Sequence, residues 1–418
     1  MLQPNPDWAS LPLFDRTGWK RVRFGDVVEN CNETCDPAEA GLERFVAMEH
    51  LEPGSLHVRS WGNVADGTTF TRRCRPGQVL FGKRRAYQRK VAVSEFEAVV
   101  SGDIYVLAPK SGTGVPPVVA QGNKSHRQDA CATLLPELLP FLCLSERFFQ
   151  HAVGTSAGSL SPRTNWSSLA SFEFDLPPLD RQRRIAEILW AVDEVVTTTF
   201  GAAENAHTVV EAELNKFLYQ SSRWRVASCR ELLAEGPRNG FSPPASPNSG
   251  RVPTLSISAI RGGKVVPTGS LKYADVQDEA VKQFRLRRND ILVVRGNGNR
   301  LLCGRAGIVE DFPGGCFYPD LLIRLRFRDD ALLPEFAVMQ WNERICHTRL
   351  LKKAKSSNGI SKINGQDIQS HQLVAPPIKE QAEFLRQMAE KNSIAFGFDR
   401  AANDAEKLQS TLINTLFQ

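Results

Sequence analysis

The chain repeats itself, and a repeat limits its fold more than any other feature of these 418 residues. The segment "LLPE" at 134–137 recurs at 332–335, an offset of 198, and "PPLDRQ" at 177–182 is answered by "PPIKEQ" at 376–381, an offset of 199. Between these landmarks "TSAGSLSPRTNW" (155–166) has a counterpart in "KSSNGISKING" (355–365), each rich in Ser, Asn and Gly and reading as a polar loop before a strand. Upstream, "RPGQVLFGKRR" (75–85) parallels "RRNDILVVRGNGNR" (287–300): a turn, a short β-rich run, then cations. At roughly 100–200 residues per domain the chain holds two cores, and the repeat gives them one plan.

After each Pro-Pro pair comes a long stretch without proline. In the first, Ile185, Leu189, Val192, Val196, Ala203, Ala206, Val210 and Phe217 alternate spacings of four and three, interrupted by Thr199 and Glu213. The second carries Phe384, Met388, Lys391, Ala395, Phe398, Ala402, Ala405, Gln409, Leu412 and Leu416 in the same register. These are heptad seams. About 40 residues at 1.5 Å each make helices of roughly 60 Å, far longer than an ordinary globular helix. Packing the two on each other is the simplest way to cover both stripes. Gly201 and Gly397 cost about 1 kcal/mol each relative to Ala and mark sites for a kink or break.

The expected architecture is therefore α+β: a first domain at 1–178, a long helix at 179–222, a second domain at 223–377 and a second long helix at 378–418. One segment breaks the symmetry. From Asp103 to Pro136 is 33 residues, whereas the matching Asp320 to Pro334 is 14. Most of the excess falls at 111–133, which is Gly, Pro and polar rich and reads as a surface-loop insertion.

Composition then narrows the function. Apolar residues at 42% and charged residues at 23% describe a globular protein. No stretch reaches the roughly 18–20 apolar residues of a membrane span and no basic flank precedes an apolar run at the start, so a cytoplasmic protein with no membrane partner is expected. Nine scattered cysteines without a CxxC pair suit a reducing compartment, and Cys31-x-x-x-Cys35 lacks the second pair that a metal site needs. Phosphate loops, nucleophile elbows and zinc helices are missing, and the seven histidines are dispersed. Pro319-Asp320 could begin a nuclease carboxylate pair, but "YPDLLIRLRF" reads as a buried strand without the matching acid and lysine. No catalytic residue, metal or cofactor is assigned to this chain, and binding remains.

The net charge of +6 is modest, so an anionic partner must be met by local clusters. Residues 72–90, "RRCRPGQVLFGKRRAYQRK", hold eight cations and no acid. Lys83, Arg84, Arg85, Tyr87, Arg89 and Lys90 follow the strand-like "VLF", and Arg295, Asn297, Asn299 and Arg300 follow "ILVV". Arg and Lys neutralise phosphates, Arg reads guanine bidentately and Asn reads adenine, which is the chemistry of double-stranded DNA recognition. The polar loops supply a second candidate surface: Ser159, Arg163 and Asn165 in the first half, Ser361, Lys362 and Asn364 in the second.

The half-repeat resembles the target-recognition domains of specificity subunits from type I restriction–modification systems. The signatures are "GWKRVRFGDVVE" near the start, "RPGQVLFGKRRAYQRKVAVSEFEAVVSGDIYVLAP", the PP-x-x-x-Q entry to each long helix, and "NGFSPPAS" followed by "LSISAIRGG" opening the second half. The resemblance implies a non-catalytic subunit in which each domain recognises one half of a split DNA target. It implies that the two helices pack as an antiparallel coiled coil that spaces the half-sites and docks two methyltransferase subunits. Those partners would use S-adenosylmethionine to methylate adenine, and motor–nuclease restriction subunits would bring ATP and Mg. The competing reading is a scaffold that assembles partners through its helices without reading DNA.

Overall fold

The structure is a computed structural model and describes residues 15–110, 133–220, 223–243, 252–357 and 359–418. The chain divides into two compact units, one of Met1–Phe200 with Arg400–Gln418 and one of Gly201–Asp399. Nearly all of the expected insertion at 111–133 lies outside the described residues; its last residue, Thr133, already belongs to the body of the first unit.

The first unit opens with β1 (Lys20–Arg23), the one-turn α1 (Phe24–Val27) and β2 (Val28–Asn30). There follow β3 (Arg44–Val46), β4 (Gly62–Asn63), β5 (Arg72–Cys74), β6 (Val79–Gly82), β7 (Val91–Val93), β8 (Ala98–Val100) and β9 (Ile104–Pro109). It closes with α2 (Leu139–Leu144), α3 (Glu146–Gly154), α4 (Trp166–Ala170) and β10 (Glu173–Leu176). Two four-stranded sheets run in the orders β2-β9-β6-β7 and β4-β3-β8-β5, while β1 pairs antiparallel with β10, Lys20 opposite Leu176. The "VLF" run lies fully buried in β6, as a strand covered on both faces must be. Phe24, Phe81 and Phe148 meet in the core at ring separations of 4.8 and 5.5 Å.

The second unit opens the same way, with β11 (Arg225–Ser228), α6 (Cys229–Leu232; α5 is the long helix below) and β12 (Leu233–Asn239). Its strands continue as β13 (Val252–Leu255), β14 (Ile260–Arg261), β15 (Lys264–Val265), β16 (Leu271–Ala274), β17 (Ile291–Val294), β18 (Gly296–Asn297), β19 (Ala306–Ile308) and β20 (Leu322–Phe327), with the short α7 (Asp278–Val281) before β17. The unit ends with α8 (Pro334–Asn342), α9 (Arg344–Leu351), β21 (Lys355–Ser357), β22 (Ile360–Lys362), α10 (Gly365–Gln369) and β23 (Gln372–Ala375). Its largest sheet has the order β12-β20-β17-β19-β15-β14, and β11 pairs antiparallel with β23, Arg225 opposite Ala375. The expected buried strand in "YPDLLIRLRF" is β20. Arg324 sits inside it, only 3% exposed, held by Glu235 and the carbonyl of Gln283.

Helix α5 (Leu179–Tyr219) has 41 residues and α11 (Ile378–Leu416) has 39. Both run unbroken through Gly201 and Gly397, so the glycines do not interrupt them. Ile185, Ala186 and Leu189 from the start of α5 join the core of the first unit, together with Ile413, Leu416 and Phe417 from the end of the chain. In the second unit Phe384 and Met388 from the start of α11 and Leu214 and Leu218 from the end of α5 do the same. There the buried side chains of α5 are one residue on from the expected Glu213 and Phe217, because that end of the helix turns toward a globular core. Phe217 nevertheless stacks on Phe384 at 4.1 Å, and Lys391 pairs with Glu213 at 3.0 Å. With His207 on Asp399, these contacts of the second unit pair the two helices in opposite chain directions. Phe398, expected in the seam, is 39% exposed.

The repeated PP-x-x-x-Q is explained by one side chain. Gln182 is buried; its Oε1 accepts from Leu135 N at 2.8 Å, and its Nε2 donates to the carbonyls of Thr133 and Pro177 at 2.8 and 2.9 Å. Gln381 does the same with Leu333 N at 2.8 Å and the carbonyls of Ala331 and Pro376 at 3.1 and 2.7 Å. Each glutamine binds three backbone groups and ties the start of a long helix to the loop of its own "LLPE".

Candidate nucleic-acid interface

In the first unit the two candidate surfaces of the sequence become one. The loop after β6 lies against the polar loop before α4: Arg85 N donates to Pro162 O at 2.7 Å and Thr164 N to Lys83 O at 3.1 Å. Arg84 and Arg163 face each other in a β-bridge. Asp103, in the turn that leads into β9, holds both guanidiniums, receiving Arg163 Nε at 2.8 Å and Arg84 Nη1 at 3.3 Å. Burial works to raise the Asp103 pKa, but the hydrogen bonds and charges of Arg163 and Arg84 outweigh it and hold the carboxyl below its usual range. Arg84 Nη2 and Arg85 Nη2 both reach Ser161 Oγ, at 3.0 and 3.5 Å. Lys83 lies with Nζ 4.7 Å from the centre of the Tyr105 ring, and burial is the largest cause lowering its pKa. Two guanidiniums thus share a single acid, with Arg85 on the neighbouring Ser161 and Lys83 on Tyr105, and a polyanion can supply the missing charge.

The backbone here is strained. Arg85 and Arg89 flank the turn 86–88 with φ of 54° and 57°, two of three non-glycine residues with positive φ among those described. Each left-handed residue costs about 1–2 kcal/mol. Arg85 Nε is in addition buried without a hydrogen-bond partner among the described residues. Strain of this kind gathers at binding sites, where the surrounding structure imposes it. Tyr87, at the middle of the turn, is 56% exposed.

The second unit joins the corresponding elements. After β17, β18 pairs with β22, placing Gly296 opposite Lys362 and Asn297 opposite Ser361, and β22 pairs in turn with β21. A Cβ at Gly296 would stand 3.0 Å from the Lys362 side chain, so glycine allows this close approach. Arg295 donates to the carbonyl of Asp320 at 3.3 Å, with the Asp320 carboxylate 3.8 Å away, and Ile363 N donates to Arg295 O. Asn297 Oδ1 and Asn299 Oδ1 accept from Asn299 N and Leu301 N, shaping an exposed turn that Arg300 shares.

Some expected contacts have structural employment instead. The acid-free run 72–90 is neutralised by acids distant in sequence: Arg75 by Glu33, Arg73 by Glu97. Arg89 pairs with Glu146 and lies 4.7 Å from the Phe149 ring centre, and Lys90 Nζ donates to Met48 O. Asn165 and Asn364 are helix N-caps, their Oδ1 atoms accepting from Ser168 N and from Gln366 N and Asp367 N. Arg300 reaches the Leu351 carbonyl at 3.5 Å, Ser361 is buried, and Ser159 and Lys362 are exposed. Asp103, Asp320 and Ser161 were not among the residues assigned to DNA from the sequence. The available signal was position, since each acid lies just ahead of a strand, β9 or β20, that pairs with the strand feeding the basic loop.

No family model matches the chain. It is 27% identical over 347 residues to the type I restriction enzyme EcoKI specificity subunit of Escherichia coli (strain K12), covering 76% of this chain and 73% of that one. To the type I restriction enzyme StySPI specificity subunit of Salmonella potsdam it is 25% identical over 318 residues, 69% of this chain and 65% of the other. Among solved structures, a type I restriction–modification S subunit from M. genitalium shares the fold at a TM-score of 0.53 and 10% identity, over 98% of each chain. By sequence along about three quarters of its length the chain is similar to specificity subunits of type I restriction–modification systems, and over nearly all of its length it shares the fold of one.

Proposed function

We propose that the chain is the DNA-reading subunit of a type I restriction–modification complex, recognising a bipartite duplex and directing adenine methylation and restriction by partner subunits. The observation that carries this reading is the joining, in each unit, of a basic loop to a polar hairpin by backbone hydrogen bonds, in a relative of specificity subunits. Such a surface binds phosphates through its cations and presents a hairpin to the base edges. Domains at 1–178 and 223–377 read one half-site each. The helices at 179–222 and 378–418 pack as an antiparallel coiled coil that spaces the half-sites and docks two methyltransferase subunits, to which motor–nuclease subunits are added. The chain itself performs no catalysis; S-adenosylmethionine, ATP and Mg belong to its partners. The fold supports this division of labour by repeating one entry motif, Gln182 and Gln381, at the start of each helix.

Within the first half-site surface, Arg84, Arg85, Tyr87, Ser159 and Arg163 contact DNA, with Lys83 behind them and Arg89 and Lys90 fixing the turn. In the second, Arg295, Asn297, Asn299, Arg300 and Lys362 do so, with the buried Ser361 behind them. The double variant Arg84→Ala, Arg163→Ala removes two cations and is expected to lower the salt slope of binding by about 2. A slope and affinity equal to the wild type's would remove this surface from DNA. Methyltransferase binding without any DNA sequence preference would favour the scaffold instead.

A further inference from the structure

Both hairpins carry an exposed aliphatic side chain. In the first unit, residues 157–163 form a tight loop closed by Ala157 N to Arg163 O and Arg163 N to Ala157 O, each 3.0 Å. Gly158, at φ +109°, lets the chain turn. Leu160 stands inside this loop and is 90% exposed, the highest value for any large apolar side chain among the described residues. In the second unit Ile360 opens β22 directly after Gly359, at φ +74°, and is 40% exposed. The surroundings match. Leu160 is followed by Ser161, then Pro162, then Arg163 and the capping Asn165; Ile360 is followed by Ser361, then Lys362 and the capping Asn364. Pro162 alone has no counterpart.

A single exposed leucine needs no explanation. Two aliphatic residues at one place in two separately folded units, each beside the cations assigned to phosphate, do. Leu160 contributes almost nothing to the core it sits above, so packing does not account for it. Its neighbours Arg84, Arg85 and Arg163 are tied to Ser161 and Asp103, which holds the loop firmly on a cationic base. Leu160 is exposed on the loop that these cations hold.

We propose that Leu160 and Ile360 are base-contacting residues, each pressing on the apolar surface of a base in its own half-site. This rests on the DNA-reading function proposed above. The apolar surface of a base is either a thymine methyl in the major groove or a base face bared at an opened step. Cations on phosphates tolerate any sequence, whereas an apolar contact to a thymine methyl, or to a step that opens easily, favours some sequences over others.

The test uses the full chain and a duplex recovered by it from a random-sequence pool, compared with a scrambled duplex across a salt series. Leu160→Ala and Ile360→Ala are expected to lower the cognate-to-scrambled affinity ratio by roughly tenfold each. They should leave the salt slope unchanged, because a neutral side chain displaces no counterions. Leu160→Met, which keeps an apolar reach, should retain most of the ratio. Deoxyuridine in place of thymine identifies a methyl contact by reproducing the loss, and 2-aminopurine fluorescence identifies an opened step by brightening with wild type and not with Leu160→Ala. If wild type prefers its target and both alanine variants keep that preference, the assignment is overturned alone. If wild type shows no preference, the DNA-reading function falls and the assignment with it.

Discussion

Replacing Gln182 by alanine should open the first unit at the root of its long helix. The side chain makes three hydrogen bonds to backbone groups, and it is 1% exposed. Three bonds at about 1 kcal/mol each give a loss of roughly 3 kcal/mol. Against a usual 5–15 kcal/mol for a domain, that is a large fraction of its stability. Gln182→Glu separates geometry from chemistry. A carboxylate still accepts from Leu135 N, but its other oxygen faces the two carbonyls, so it should be no better tolerated than alanine. Hydrogen exchange reads the effect locally: Leu135 N loses protection in the Gln182 variants, and Leu333 N does so in Gln381→Ala. If Gln182→Ala stays within about 0.5 kcal/mol of wild type by denaturant unfolding, or if Gln182→Glu rescues it, the buried amide does not hold the helix root.

Two further outcomes follow from the same packing. His57 bridges Asp193 of α5 and Glu95, at 2.8 and 2.9 Å; chiefly through the Asp193 hydrogen bond, opposed by partial burial and aided by Glu95, its pKa is pushed up to about 9. A folded pKa above the unfolded value of roughly 6.5 stabilises fully below pH 6.5 and fades as the pH rises through 9, so up to about 2–3 kcal/mol should be lost between pH 7 and 10 in wild type and not in His57→Gln. Arg85→Asn should hold or raise stability, by up to about 1 kcal/mol, because Asn tolerates the left-handed backbone better than Arg, while DNA affinity falls; a stability loss above about 1 kcal/mol would show that the Arg85 side chain, not the backbone, sets the turn.

What the sequence made legible was periodic or duplicated. The strands β6 and β17, the buried strand β20, the two long helices and the PP-x-x-x-Q entries all rest on local patterns that tertiary structure then used. What stayed hidden depended on residues far apart in the chain. The charge of residues 72–90 looked unopposed because Glu33, Glu97 and Glu146 lie outside it. Asn165 and Asn364 looked like free contact residues because a four- or five-residue helix such as α4 or α10 has too little periodicity to announce its cap. The union of the basic loop with the polar hairpin was likewise unreadable, since Arg84 and Arg163 are brought together only by pairing in space.

The central claim is that one chain reads two separate blocks of duplex DNA. Enrichment of a random-sequence duplex pool on the full chain, followed by sequencing, tests it most directly. The account predicts two fixed blocks separated by a gap of constant length and free sequence, with Arg84→Ala, Arg163→Ala degrading one block and leaving the other. A single contiguous block, or no enrichment, would contradict it.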